Sequence, residues 1–248
     1  MKFDYHNTAK KIGWSFKSIK PIVEQKSDYN YYKTVVEQIT PSTIMLDIGC
    51  GSAEKSTRYF SLAKKIYALD LEPEMLKKAK ANAEKYYGDD AKQKFEFLIA
   101  NADQKLEFAD NTFDVVCSRH CGANMAEVFR ILKLGGFFVS EDIDKYDCYE
   151  LKKYFNRGQN FDTNPSIKQQ IFLDCLDAGF SKIELLSFEQ TEYYPCIEQL
   201  EFLLENTPII DGYDKASDRK ILKQYVKDFT CEKGIKLERK LFAFKLIK

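Results

Sequence analysis

Asp47, Gly49, Gly51 and Asp70 are the residues whose types and spacing could do chemistry together. The run 44–48 is apolar except for Asp47 and reads as a buried strand with one acid near its end. Gly49-Cys50-Gly51 then forces a tight turn, and Ser52 stands where it could cap the next helix. Glycine suits such a turn because a residue without Cβ accepts left-handed backbone angles and lets a ligand lie against the main chain. Unpaired N–H groups at the start of the helix complete a pocket for an anionic or nucleotide-like group. A second apolar run, Ile66-Tyr67-Ala68-Leu69, ends on Asp70. An acid about 20 residues beyond the turn is placed to grip a pair of ribose hydroxyls. Glu72-Pro73-Glu74 then opens a helix, with Pro in its first turn and acids at the positive end of its dipole.

The pocket suits an adenosine-type cofactor, and its details narrow the choice. A dinucleotide fingerprint needs a third glycine, yet Ala53 and Glu54 stand where it would fall. Asp47 is unfavourable beside a pyrophosphate and suits a ligand with an ammonium group and a sulfonium. With these features the segment resembles motif I of the class I S-adenosylmethionine-dependent methyltransferases. Leu106-Glu107-Phe108-Ala109-Asp110-Asn111-Thr112-Phe113-Asp114-Val115-Val116 resembles the family's loop into its fourth strand. Glu127-Val128-Phe129-Arg130-Ile131-Leu132-Lys133-Leu134-Gly135-Gly136 resembles its helix-to-fifth-strand signature. Glu107 and Leu134 replace prolines usual in these motifs, and the acid after the third strand of the core stands one position late, at Asp103. Arg119-His120-Cys121, Arg157-Gly158-Gln159 and Thr191-Glu192-Tyr193-Tyr194 are similar to a methyltransferase type 11-like bacterial subgroup without an assigned substrate.

The resemblance implies a Rossmann-like α/β fold: a doubly wound, mostly parallel seven-stranded sheet with an N-terminal helical arm and a helical insertion before the last strand. It implies S-adenosylmethionine as methyl donor, with Asp47, Gly49, Cys50 and Gly51 backing its methionine part and Asp70 its ribose. Leu71 with Ala102 or Asp103 would meet the adenine, and Ser118 would line the same pocket. The methyl group would lie against Arg119-His120-Cys121. His120 is the candidate base, because an imidazole titrates near neutrality; a wall residue is the alternative. Arg119, Tyr193 and Tyr194 are candidates for acceptor binding, with ion pairing and packing as their structural alternatives. Glu141, Asp142 and Asp144 could also reach the acceptor.

The elements that must position these groups follow from periodicity. Strands are expected at 43–48, 65–70, 95–100, 113–118, 136–142, 180–188 and 238–246, and helices at 52–63, 72–87, 123–132 and 165–178. Alternating strands and helices imply a parallel sheet covered on both faces. Residues 1–40 read as a helical arm, with Asp28 as a possible cap. Residues 41–189 and 238–248 read as the cofactor-binding core, and 190–237 as a helical insertion, a possible lid.

The 248 residues carry 38 basic and 38 acidic side chains, so net charge gives no reason to expect nucleic acid as partner. No apolar run approaches the roughly 20 residues of a spanning helix. The start Met1-Lys2-Phe3-Asp4 has no signal-peptide character. Seven cysteines without a CxxC pair suit a reducing, cytoplasmic setting. Cys117, His120 and Cys121 lack a fourth partner, so no metal is expected. The expected activity is methyl transfer to a small molecule. RNA or protein acceptors, or a non-catalytic cofactor-binding regulator, are the alternatives, and a nicotinamide dehydrogenase is a distant third.

Overall fold

Four short parallel strands form the centre of the sheet: β2 (Ile44–Ile48), β3 (Lys65–Asp70), β4 (Phe95–Ile99) and β5 (Phe113–Arg119). From Met45 to Ile48 strand β2 is buried on both faces, which is why it reads as a continuous apolar run rather than an alternating one. It pairs with β3 on one side and β5 on the other, setting Asp47 opposite Ala68 and Cys117. The computed structural model describes residues 3–25 and 27–248. Among them, no helix is long and apolar enough to cross a membrane. The signal-peptide expectation falls partly on Met1 and Lys2, outside the described residues.

The chain divides into two compact units. The first comprises Tyr29–Asp142, Gln170–Leu186 and Phe242–Lys248. To the four central strands it adds most of β6 (Leu132–Ile143), the start of β7 (Lys182–Tyr194) and the end of β9 (Gly234–Ile247). The strand order is β7-β9-β6-β5-β2-β3-β4, with β4 to β6 joined in parallel through β3, β2 and β5. Helices α2 (Tyr31–Val36), α3 (Glu54–Tyr59), α4 (Pro73–Tyr87), α5 (Ala91–Lys94), α6 (Met125–Ile131) and most of α8 (Ile167–Ala178) belong to it. One core cluster gathers Leu46, Ile48, Val116, Val128 and Phe138, and another Tyr31, Val35, Met45, Ile66 and Cys117. Helix α4 buries Met75, Leu76, Ala79 and Ala83 on one stripe. The two large side chains contribute roughly 1.5–3 kcal/mol each.

The second unit holds the described residues up to Asp28, with Ile143–Gln169 and Ser187–Leu241. It contains α1 (Tyr5–Lys11), β1 (Ile22–Gln25), α7 (Tyr149–Phe155), α9 (Ile197–Glu205), α10 (Lys215–Phe229) and β8 (Thr230–Cys231). Its core packs Leu151, Tyr194, Leu200, Leu204, Leu222, Tyr225 and Leu237. Strand β1 pairs antiparallel with residues 190–193 of β7, and β8 with the start of β9.

Several elements differ from the sequence expectation. The stretch before residue 40, expected to be helical in parts, also holds a strand, because Ile22–Gln25 finds a partner in β7. That pairing carries β7 on to Tyr194, beyond the expected end at 188. Asn30, not Asp28, caps α2 by accepting from the Lys33 N–H at 3.0 Å. Helix α3 is shorter than 52–63, and Ser52 does not cap it. The cap is Ala53 in left-handed geometry, without a side-chain hydrogen bond. Helix α7 was not expected.

Candidate functional site

The carboxyl ends of β2 to β6 are where ligands lie in open α/β sheets, and the candidate residues of the first unit gather there. Gly49 and Gly51 both adopt positive φ, 68° and 55°. A Cβ on Gly49 would fall 2.5 Å from Cys121 Cβ, so the turn can approach the end of β5 only without a side chain. The turn is tied from three directions. Cys50 N–H donates to Leu69 O at 3.0 Å, Gly51 N–H to Asp70 Oδ2 at 2.8 Å, and Asn82 Nδ2 to Ser52 O at 2.9 Å. Asp70 Oδ1 also accepts from Glu72 N–H at 2.9 Å. The turn and the acid at the end of β3 are therefore one hydrogen-bonded assembly. Burial raises the Asp70 carboxyl above its usual value, although the Glu72 and Gly51 N–H groups pull the other way.

Asp47 is buried and accepts from the Ser56 hydroxyl and, at 3.6 Å, from the Cys117 thiol. Burial dominates and raises its carboxyl from 3.8 to about 6, against those two hydrogen bonds and with Asp70 adding repulsion. Between pH 3.8 and about 6 the folded protein keeps a proton that the unfolded chain has released. Stability of the ligand-free protein should therefore fall as pH rises through that window, by about 3 kcal/mol from this group. Urea denaturation across the window should show that fall in wild type and not in Asp47→Asn. Identical profiles would mean that Asp47 is not desolvated.

Two further motifs act as supports. Glu127 Oε1 accepts from Leu106 N–H at 2.8 Å, while Arg130 Nη1 donates to Phe108 O at 2.8 Å and Asp110 Oδ1 at 2.6 Å. The helix acid and arginine thus clamp the 106–110 loop, which explains why it holds its course without a proline at Glu107. Asp114 accepts from Ile44 N–H at 2.8 Å and Lys133 Nζ at 2.7 Å, fixing the start of β5 beside β2.

At the other end of β5, Ser118 is buried and donates to Cys121 O at 2.6 Å. Arg119 Nε donates to Glu141 Oε1 at 2.7 Å, and its guanidinium lies 5.8 Å from the Tyr32 ring centroid. His120 has φ 55°, held by its N–H donating to Glu141 O at 2.8 Å, and its Nε2 lies 3.5 Å from Glu141 Oε1. Burial alone would raise the Glu141 carboxyl, but His120 and Arg119 outweigh it and hold it below its usual value. The Cys121 thiol is pushed up to about 12, by burial first and then by the negative charges of Asp70, Asp142, Asp103 and Asp47. Leu71 is exposed, Ala102 is buried, and Ala102 O accepts from Asn124 N–H at 3.0 Å. Asp103 opens onto a cavity of about 460 Å3 that also touches Asn124, Met125, Asp174 and Asp177. Of the residues singled out for the site, that cavity touches Asp103 alone, so the strand ends, rather than the cavity, define the site.

The first unit thus brings together Asp47, Gly49, Cys50, Gly51, Asp70, Leu71, Ala102, Asp103, Ser118, Arg119 and His120. Tyr193 and Tyr194 belong to the second unit. Tyr193 donates to Glu24 Oε2 at 3.2 Å, and the buried Tyr194 to Glu192 Oε2 at 2.7 Å. Sequence reasoning missed Ser56, the donor to Asp47, and Tyr32, the ring beneath Arg119. A hydroxyl on the helix after a buried acid is a faint signal for the first. Nothing in the spacing points to the second.

Comparison with known proteins adds the following. A family model described as "Methyltransferase domain" matches residues 39–200. No curated protein matches the chain. Among solved structures, a proposed methyltransferase from Bacillus halodurans C-125 superposes with TM-score 0.63 at 18% identity, covering 88% of this chain and 98% of its own. A functionally unknown protein from Deinococcus radiodurans R1 gives TM-score 0.62 at 14% identity, covering 97% and 99%. Phosphoethanolamine N-methyltransferase 2 of Haemonchus contortus, in complex with phosphomonomethylethanolamine and S-adenosylhomocysteine, gives 0.57 at 17% identity, covering 99% of this chain and 61% of its own.

Proposed function

The chain belongs to the methyltransferase domain family, and from that premise we propose that it moves a methyl group from S-adenosylmethionine to a small-molecule acceptor, leaving S-adenosylhomocysteine. The observation that carries this reading is the assembly of Asp47, the glycine turn and Asp70, in which Gly51 N–H is bonded to Asp70 Oδ2. The residues fit the donor. Only glycine can occupy position 49 beside Cys121, which leaves a side-chain-free surface for the methionine part. Asp70 spends one hydrogen bond on each oxygen, so each retains capacity for a ribose hydroxyl. Asp47 is an acid suited to the ammonium group, while Cys50 and Ser118 line the same end. Exposed Leu71, with Ala102 and Asp103, would border the adenine. The Haemonchus enzyme of the same fold holds S-adenosylhomocysteine, which agrees with this choice.

The donor supplies a methyl group activated by sulfonium charge. The protein's part is to align it with the acceptor, exclude water and receive any proton that must leave. His120 is the group we assign to that proton.

Calorimetry with S-adenosylmethionine and S-adenosylhomocysteine tests the reading, and binding of neither would overturn it. Asp70→Ala should weaken binding by roughly 1–3 kcal/mol, about fivefold to 150-fold, through lost charged hydrogen bonds. Undiminished affinity would place the ribose elsewhere.

A further inference from the structure

Glu141 stands at the end of β6 with its carboxylate buried, yet it faces two partially exposed cationic or potentially cationic side chains of the neighbouring strand end. Both use the same oxygen. Arg119 Nε approaches Oε1 at 2.7 Å and His120 Nε2 at 3.5 Å. The main chain adds a third link, His120 N–H to Glu141 O at 2.8 Å, which holds the histidine at φ 55°. The backbone bond therefore fixes the residue, and Nε2 is the ring nitrogen that faces the Glu141 carboxylate. The other ring nitrogen, Nδ1, has no hydrogen-bond partner among the described residues.

Arg119 would be the natural anchor for a phosphate or carboxylate on the acceptor. It is already committed, with its Nε on Glu141 and its guanidinium over Tyr32. Among residues 47–53, 70–74, 99–104, 118–124 and 140–142 it is also the one Lys or Arg, against Asp47, Asp70, Glu72, Glu74, Asp103, Glu141 and Asp142. The strand ends of this unit offer an incoming molecule acids and one imidazole.

We infer that Glu141 is a positioning residue: it fixes His120 through Nε2 and leaves Nδ1 to take a proton from the acceptor, a protic nucleophile such as a primary or secondary amine or a hydroxyl. This rests on the methyltransferase reading above. The acceptor's lone pair forms the bond to the methyl carbon as the carbon–sulfur bond breaks and its electron pair passes to sulfur. The acceptor's N–H or O–H proton goes to Nδ1, giving an imidazolium whose Nε2–H faces the Glu141 carboxylate, and later to water. Arg119 steadies that carboxylate. A tertiary amine or a thioether has no proton to lose and gains nothing from the pair.

The chain has two histidines, so His6→Gln leaves His120 as the sole imidazole signal. Histidine-selective 15N NMR on that protein, loaded with S-adenosylhomocysteine, should show a single tautomer with hydrogen on Nε2 and a bare Nδ1. Glu141→Ala should lose the fixed-tautomer pattern, whereas Glu141→Gln, whose amide oxygen can still accept from Nε2–H, should retain it. A pattern indifferent to Glu141→Ala, or hydrogen on Nδ1 in the otherwise unaltered protein, overturns the inference. With S-adenosylmethionine and a panel of primary and secondary amines and alcohols, Glu141→Gln should lower kcat at least tenfold with little change in KM. Faster turnover of tertiary amines or thioethers than of the protic panel would also overturn it. Calorimetry on the same samples separates the two readings. Failure to bind the donor or its product sinks methyl transfer, while binding with an imidazole blind to Glu141 sinks only this assignment.

Discussion

Gly49→Ala should abolish detectable S-adenosylmethionine binding and cost about 2–4 kcal/mol of stability, from overpacking together with a left-handed backbone. The new methyl group would sit 2.5 Å from Cys121 Cβ and 2.7 Å from its Sγ. Cβ is not the free end of a long side chain, so relief requires the turn or the end of β5 to move. Ser118 anchors that end by donating to Cys121 O, and Gly51 N–H anchors the turn to Asp70. Gly51→Ala is the control. It carries similar positive-φ strain, but its Cβ would meet only Met75 Cε, at an ordinary 3.5 Å. It should cost about 1–2 kcal/mol, the backbone part alone. Chemical denaturation ranks the two variants, and calorimetry measures the donor. Equal losses would mean that strain, rather than the Cys121 contact, governs the turn.

Arg239→Ala should be the most destabilising single change in the second unit, by about 3–5 kcal/mol, because it leaves buried acids without their cation. Arg239 donates from Nε to Asp147 Oδ1 at 2.9 Å and from Nη2 to Oδ2 at 3.2 Å, a forked pair. Its Nη1 reaches Glu192 at 3.3 Å, and Glu192 in turn accepts from the Tyr194 hydroxyl. Asp147 and Glu192 are both buried. Lys240 N–H also donates to Asp147 Oδ1, so one oxygen serves a backbone and a side chain. Urea midpoints of wild type, Arg239→Ala and the double variant Arg239→Met, Asp147→Leu test this. The double variant should recover part of the loss, since an apolar pair leaves no orphaned charge at that position. A loss under 1 kcal/mol in Arg239→Ala would show that water reaches the acids.

What could be read from sequence was what lies close along the chain. The glycine turn, Asp70 and helix α4 each declare themselves within a few residues, through glycine geometry, an apolar run ending in an acid, and a proline-led amphipathic stripe. Features set by distant partners were hidden. Arg119 and Glu141 are separated by 22 positions and meet only because β5 and β6 pair with Arg119 opposite Glu141. Asp147 and Arg239 are separated by 92. Ile22–Gln25 has no strand signature strong enough to outweigh its aromatic, polar surroundings. Its conformation comes from Gln190, Thr191, Glu192 and Tyr193 lying alongside. Ser52 failed as a cap because Ala53 takes the left-handed geometry that ends the turn, and preference scales disfavour alanine there. Tyr194 stood out as part of a short string resembling one subgroup. In the structure it is a core residue of the second unit, with its hydroxyl on Glu192.

The bond between Gly51 and Asp70 has a kinetic corollary. An acid already locked to the turn is set before any ligand arrives, and in the proposed reading it grips a ribose that donor and spent donor share. Contacts that favour both alike tighten occupancy without speeding the chemistry. Turnover would then be throttled by accumulated S-adenosylhomocysteine, and the steady rate would depend on how quickly the surroundings clear it.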